Sequence, residues 1–377
     1  MRSGDSGYVL LCLLGLAACG SGPPATDPRQ DGFEKIDVHT HYFAPRSYLV
    51  PMLARWHARS VILNYTMGQP DSLVRRRWAG VLALAHAAPD RFWVATTFDP
   101  TAIDQPDFAA RTLAQLRTDF AGGAVMLKVW KDLGLMVRDR SGRFVQIDDP
   151  RLQPIWDFLA ARHIPVLEHS ADPREGWRAL DPTSPNYHYF RANPDHYPYL
   201  HPEVPRWETV IAARDRWLGR NPGLTVIGAH FGSMADDLDG LSRCLDSFPN
   251  FNVDVADRLG DIRRLPVERV RRFFLAYPDR ILFGTDRSTS GPEAGIAPAA
   301  LREEQRETER QYAGWWHYTT RTLRLPAPVL TQFFSGNARR LLRLSDRSLG
   351  SSDRRAYGCP SGSTGPDGYA LPSPSWA

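Results

Sequence analysis

The chain runs to 377 residues, with 46 Lys and Arg against 42 Asp and Glu, for a formal charge of +4. That small excess is spread over the whole length, with no basic block and no aromatic-basic repeat, which argues against nucleic acid as a partner. A hydrophobic content of 42%, with 11 Trp and 17 Phe, suffices for a large core, while 4 cysteines are too few for a disulfide scaffold at this size.

The N-terminus opens with Arg2 and an apolar run over residues 8–18, too short to cross a bilayer as an ordinary helix. The run closes on Leu16-Ala17-Ala18-Cys19, which resembles the lipobox of bacterial lipoproteins. That resemblance implies a signal peptide over residues 1–19, removed to leave Cys19 as a lipidated anchor in the bacterial cell envelope. Gly20 after the cysteine leans towards the periplasmic face of the outer membrane. An uncleaved apolar N-terminus on a cytosolic protein is the plainer alternative. Residues 20–32, with Gly, Ser, Pro and Thr, read as a tether. Cys12 falls in the leader and Cys359 near the C-terminus, so no disulfide is expected for Cys244.

Eight short apolar runs follow, at 35–39, 60–65, 92–97, 124–130, 165–169, 225–230, 251–255 and 280–284. Helical patterns lie between most of them, as at 107–120, 152–162, 208–220 and 266–277. Several runs are apolar on both faces, the mark of a parallel sheet covered by helices. Strand and helix alternating in this way predict an α/β fold of the (β/α)8 TIM barrel type over residues 33–345. A doubly wound open sheet is the runner-up, weakened because no Gly-rich turn follows the first strand. Over residues 346–377 Ser, Gly, Pro and Arg dominate without apolar periodicity, and a disordered tail is expected.

In such a barrel the reactive groups gather at the C-terminal ends of the strands. The first run ends in His39 and His41, which strand alternation sends to one face about 7 Å apart. Two neutral imidazoles aimed at one point suit a divalent transition metal. Taken alone, the pair is explained as well by one histidine capping the strand and one in solvent. Lys128 lies near the end of the fourth run, His169 ends the fifth, His230 ends the sixth and Asp286 follows the eighth. A lone strand-end histidine is usually solvated, and a strand-end aspartate is often a helix N-cap. All of them on one rim point to a metal site.

These residues fall in the motifs Asp37-Val-His-Thr-His41, Gly228-Ala-His-Phe-Gly232, Phe283-Gly-Thr-Asp286 and Ser335-Gly-Asn-Ala338. In order and strand context the set resembles the amidohydrolase superfamily, and particularly its amidohydrolase family 2 branch, over residues 33–343. The resemblance implies that His39, His41, His169 and Asp286 hold one divalent metal, Zn2+ or Mn2+, with His230 beside it as a polarising histidine. Lys128 stays open between a carboxylated lysine bridging two metals, as in binuclear members, and an ordinary ammonium that binds a substrate carboxylate or pairs with an acid. The single metal is the preferred reading.

Such an ion brings the pKa of water from about 15.7 to about 7. The expected reaction is attack of that water on the amide, lactone or ester carbonyl of a small substrate. Asp286 relays the proton to the leaving group, and His230 orients the water or stabilises charge on the substrate oxygen. Nonoxidative decarboxylation of aromatic acids on the same site is one alternative. A noncatalytic ligand-binding lipoprotein is another. Members of this branch are often dimers, which makes a homodimer an expectation.

The long stretch 170–207 carries Trp177, Tyr187, Tyr189, Phe190, Tyr197, Tyr199 and His201, with Arg174, Arg178 and Arg191 among them. Long loops in compact domains are functional or disordered, and abundant aromatics argue against disorder. The stretch reads as a lid or pocket wall, with Arg174, Trp177, Tyr199 and His201 as candidate substrate contacts and an anionic or aromatic substrate. A surface flap against a neighbouring subunit is the alternative. The second loop, 131–150, with Arg138, Asp139, Arg140 and Arg143, reads as a solvated hairpin.

Overall fold

The computed structural model describes residues 33–344. The expected signal peptide, Cys19, the tether 20–32 and the tail 346–377 lie outside the described residues. Among those described, no helix is long and apolar enough to cross a membrane.

One sheet organises the chain. Its strands are β1 (Lys35–Tyr42), β2 (Ala58–Leu63), β3 (Phe92–Thr96), β4 (Ala124–Val129), β5 (Val166–Glu168), β6 (Val226–Gly228), β7 (Phe251–Asp254), β8 (Ile281–Leu282) and β9 (Arg287–Thr289). They pair in parallel, in the order β8-β7-β6-β5-β4-β3-β2-β1-β9. The eighth expected run, 280–284, yields the two-residue β8, and β9 is an additional strand beyond it. At Asp286 the backbone turns left-handed, with φ of 60°, and the chain resumes as β9 beside β1. Two bonds close the ring across this break: Val38 N–H donates to Phe283 O at 3.0 Å, and Asp286 N–H donates to His39 O at 2.8 Å. The α/β fold is the expected (β/α)8 barrel, not an open sheet.

Alternation along the strands separates two cores. Val61 and Leu63, Met126, Leu167 and Ile227 pack with Ile36 and Val38 in one cluster inside the ring. Their neighbours Ile62, Leu127, Val166 and Val226 belong to a larger cluster with the surrounding helices. Fully buried strands of this kind need helices on the outer face. Asp71–Ala87, Phe108–Ala121, Gln153–Ala161, Trp207–Arg220, Leu238–Ser247 and Val267–Ala276 supply them. Asn337, at the start of the helix Asn337–Leu341, donates its amide to Ile281 O and Pro278 O and so ties the last helix under β8.

Both long loops are locally ordered. Residues 170–207 form short helices at Arg174–Trp177, Tyr187–Ala192, Pro194–His196 and Pro198–Leu200. Phe190 and Tyr197 are buried within this flap. Asn186 fixes it to the segment after β7 by bonds with Arg258 and Asp261. In the second loop Arg138 pairs with Phe144 in an antiparallel bridge, and Arg140 and Arg143 stay exposed.

Candidate metal centre

The C-terminal ends of the strands bring together a cluster of imidazoles and carboxylates. A register shift between Asp37 and Thr40 interrupts β1 just before the histidines. Asp37 stabilises the irregularity by accepting from His39 N–H, Thr285 N–H and the hydroxyls of Thr285 and Tyr312. His39 Nε2 lies 3.4 Å and His41 Nε2 3.2 Å from the same atom, Asp286 Oδ1. His230 Nε2 approaches Asp286 Oδ2 at 3.9 Å. His169 follows Leu167 to the ring interior, and its imidazole meets that of His230 edge-on, 4.5 Å between centroids.

The outer nitrogens fix the tautomers. His41 Nδ1 faces Leu63 O at 3.0 Å and His230 Nδ1 faces Ala256 O at 2.8 Å. A carbonyl only accepts, so both Nδ1 atoms carry the proton. His39 Nδ1 donates in the same way to Asp254 Oδ2 at 2.8 Å. In its neutral form each of these imidazoles turns an Nε2 lone pair towards the Asp286 carboxylate. His169 Nε2 is buried and finds no hydrogen-bond partner among the described residues. A donor set of this kind is satisfied by a cation, and imidazole with carboxylate fits a divalent transition metal whose ligands are oriented from behind.

The electrostatics agree with that requirement. Burial pushes the proton affinity of His41 and His169 down, and that of His230 to about 3. Burial alone would raise Asp286, but His39, His41 and His230 outweigh it and hold the carboxyl well below the usual range. Lys128 follows Met126 to the interior and is fully buried, with no hydrogen-bond partner for Nζ among the described residues. Desolvation brings it down to about 8, although Asp254, Asp286 and Glu168 pull the other way.

Asp254 is the residue that sequence reasoning passed over. It ends β7 and is fully buried. Its Oδ2 takes the His39 proton, while Oδ1 accepts the backbone N–H groups of His230 and Ala256. His39, His230 and Asp254 also lie close enough to form a second potential ligand group. The signal was available, since Asp254 lies near the end of the run 251–255, as Lys128 does in its own.

The flap residues are placed unequally. A cavity of about 240 Å³ opens beside His230, lined among others by Arg174, Arg178, Ser233, Arg258 and Asp261. Arg174 also pairs with Glu208 and lies over the Trp207 ring. Trp177 instead donates its indole N–H to Pro205 O and packs on the outer core. Tyr199 is 52% exposed and stacks on Tyr197. His201 Nε2 bonds Pro194 O. The contacts of these last three thus stay within the flap and its base.

Comparison with known proteins follows the same lines. A family model described as amidohydrolase matches residues 36–344. No curated protein matches the sequence significantly. Among solved structures, 5-carboxyvanillate decarboxylase from Sphingomonas paucimobilis is similar at a TM-score of 0.51 and 14% identity, over 83% of this chain and 100% of that one. A dihydroxybenzoic acid decarboxylase from Polaromonas, with bound manganese and the inhibitor 2-nitroresorcinol, gives a TM-score of 0.51 at 16% identity, over 82% and 97%. At these identities the likeness is one of fold.

Proposed function

The chain belongs to the amidohydrolase family, and we propose that it is a metal-dependent hydrolase that adds water to the amide, lactone or ester carbonyl of a small substrate. One observation carries the reading: His39 Nε2 and His41 Nε2 converge on Asp286 Oδ1, a grouping of ligand atoms that could hold a metal ion. In this reading His39, His41, His169 and Asp286 hold one divalent ion, Zn2+ or Mn2+. Bound there, it supplies Lewis acidity that acidifies water and polarises a substrate oxygen.

The protein's own groups divide the remaining work. Asp286, kept ionised, takes the proton from the water and returns it to the leaving group. His230 carries its proton on Nδ1, bonded to Ala256 O, so its free Nε2 accepts from the water and orients it. Burial disfavours the cationic imidazole that charge stabilisation on the substrate would need. The cavity beside His230 receives the substrate. Its volume lies below the roughly 300–1,000 Å³ of drug-sized sites, which suits a small molecule. On its wall Arg174, Arg178, Arg258 and Arg264 outnumber Glu175, Asp236 and Asp261, which favours an anionic group.

Nonoxidative decarboxylation of an aromatic acid is the second reading. The arginines beside His230 support it, as do the two aromatic-acid decarboxylases of the same fold. We further propose lipidation at Cys19, retention in the bacterial envelope and a homodimer. Cys19→Ser releasing the protein from membranes checks the anchor.

Metal content by mass spectrometry, followed by a panel of lactones, amides and hydroxybenzoates with CO2 detection, tests the whole reading. Hydrolysis that disappears in Asp286→Asn, with metal still bound, is the expected result. Near-normal turnover of that variant overturns the role of Asp286. CO2 release without hydrolysis establishes the second reading, and a metal-free, inactive protein favours a noncatalytic ligand-binding module.

A further inference from the structure

The turn that carries His230 has an unusual backbone. His230, Phe231, Gly232 and Ser233 follow one another at φ of 58°, 58°, 57° and 63°. Left-handed residues normally occur singly, because Cβ crowds the following carbonyl oxygen in any residue but glycine. Such strain persists only where the surroundings over-determine it, and it concentrates at functional sites.

The surroundings here are specific. Asp254 Oδ1 accepts His230 N–H at 2.9 Å. At the far end Ser233 Oγ donates to Ala171 O at 2.5 Å and accepts from Ala171 N–H at 3.3 Å, which laces the turn to the segment behind His169. In the middle, Arg214 Nη1 donates to Gly232 O at 2.6 Å. Arg214 comes from the outer helix Trp207–Arg220 and is fully buried, with its guanidinium 4.9 Å from the centroid of the Phe251 ring. Its charge partner Asp215 is 38% exposed. Buried Glu168 and Cys244 also face the cation, but of its contacts the bond to Gly232 O is the one that reaches into the strained turn itself.

We propose that Arg214 is a positioning residue for His230. The sign of φ at residue 230 sets the direction of its Cα–Cβ bond, so a turn released from Arg214 relaxes and swings the imidazole away from Asp286. This rests on the reading above, in which His230 orients the reacting water. A buried cation that serves packing alone is replaceable by an apolar side chain of similar length with little change in stability. One that holds a strained turn is not replaceable without local consequences.

The test uses Arg214→Met and Ser233→Ala in the full-length, metal-loaded protein. Both variants are expected to keep wild-type metal content. The amides of residues 230–234 should exchange with solvent at least about tenfold faster, and kcat should fall about 10- to 100-fold with KM little changed. In a His230→Ala background the same substitutions should leave kcat where His230→Ala alone puts it. Wild-type exchange across residues 230–234 overturns the proposal, as does an equal loss of kcat with and without His230. If no substrate is turned over, the exchange measurement still decides the matter, so failure of the hydrolase reading is seen separately. If Arg214→Met does not fold, Ser233→Ala is judged by the same criteria.

Discussion

Asp254 and His39 form a buried pair at the base of the site, with Asp254 Oδ2 accepting the His39 Nδ1 proton at 2.8 Å. The carboxylate fixes the tautomer that turns His39 Nε2 inward, and its other oxygen holds the backbone of His230. Burial raises the proton affinity of Asp254, but His39 and His230 overcome it and keep the carboxyl ionised. Asp254→Asn puts an amide where a full acceptor stood. Metal affinity should fall about 10- to 100-fold, read by chelator competition. Unchanged affinity would show that Asp254 serves the fold alone.

How far the site was legible in the sequence follows from these residues. His39, His41, His169 and Asp286 declare themselves because each ends or closely follows an apolar run, and alternation from Leu167 or Met126 places His169 and Lys128 inside the ring. Asp254 lies within a run too, but a lone aspartate carries no spacing signal, and only its bond to His39 gives it meaning. The break between β8 and β9 and the four left-handed residues after β6 lay out of reach, because each depends on long-range bonds rather than on local propensity. The flap was legible as ordered from its aromatics. Which of them reach the cavity depends on how short helices fold back, and periodicity cannot report that.

Acidity should unfold the metal-free protein in a defined window. Burial holds His230 at about 3 and lowers His41 and His169, against an ordinary value of 6.5. As the pH falls below about 6.5 the unfolded chain takes up protons that the folded chain refuses, so stability is lost with falling pH. For His230 alone the loss near pH 5 is about 2 kcal/mol. Asp286 is held low, so the stability it contributes is present above about 3.8 and disappears only at lower pH. The Tm of EDTA-treated protein should therefore fall steadily between about pH 7 and 5. A flat Tm across that window means that the inward nitrogens already carry protons in the metal-free fold.

Gly228, just ahead of the strained turn, leaves no room for a side chain. A Cβ there would stand 2.5 Å from Phe251 Cζ and 2.8 Å from Gly232 Cα, and the second neighbour is backbone. Gly228→Ala should cost about 3 kcal/mol in urea unfolding, since overpacking against backbone cannot be relieved by a rotamer change. Adding Phe251→Leu, which removes the ring, should recover part of the loss. A cost under about 1 kcal/mol would mean that the turn yields more readily than its packing implies.

Lys128 decides between one metal and two. Its Nζ is wholly buried without a hydrogen bond, and burial brings it down to about 8. In the single-metal reading the ammonium ligates nothing, so Lys128→Met removes an unpaired buried polar atom while keeping most of its volume. Stability should then hold or rise by about 1 kcal/mol, with metal content unchanged at one ion per chain. A carboxylated Lys128 bridging two ions predicts the opposite: content falls from two ions per chain to one, and the intact protein carries the mass of an added carboxylate. Measuring ions per chain before and after the substitution separates the readings without any knowledge of the substrate, and it does so at a buried cation beside the proposed ligands His39, His41, His169 and Asp286.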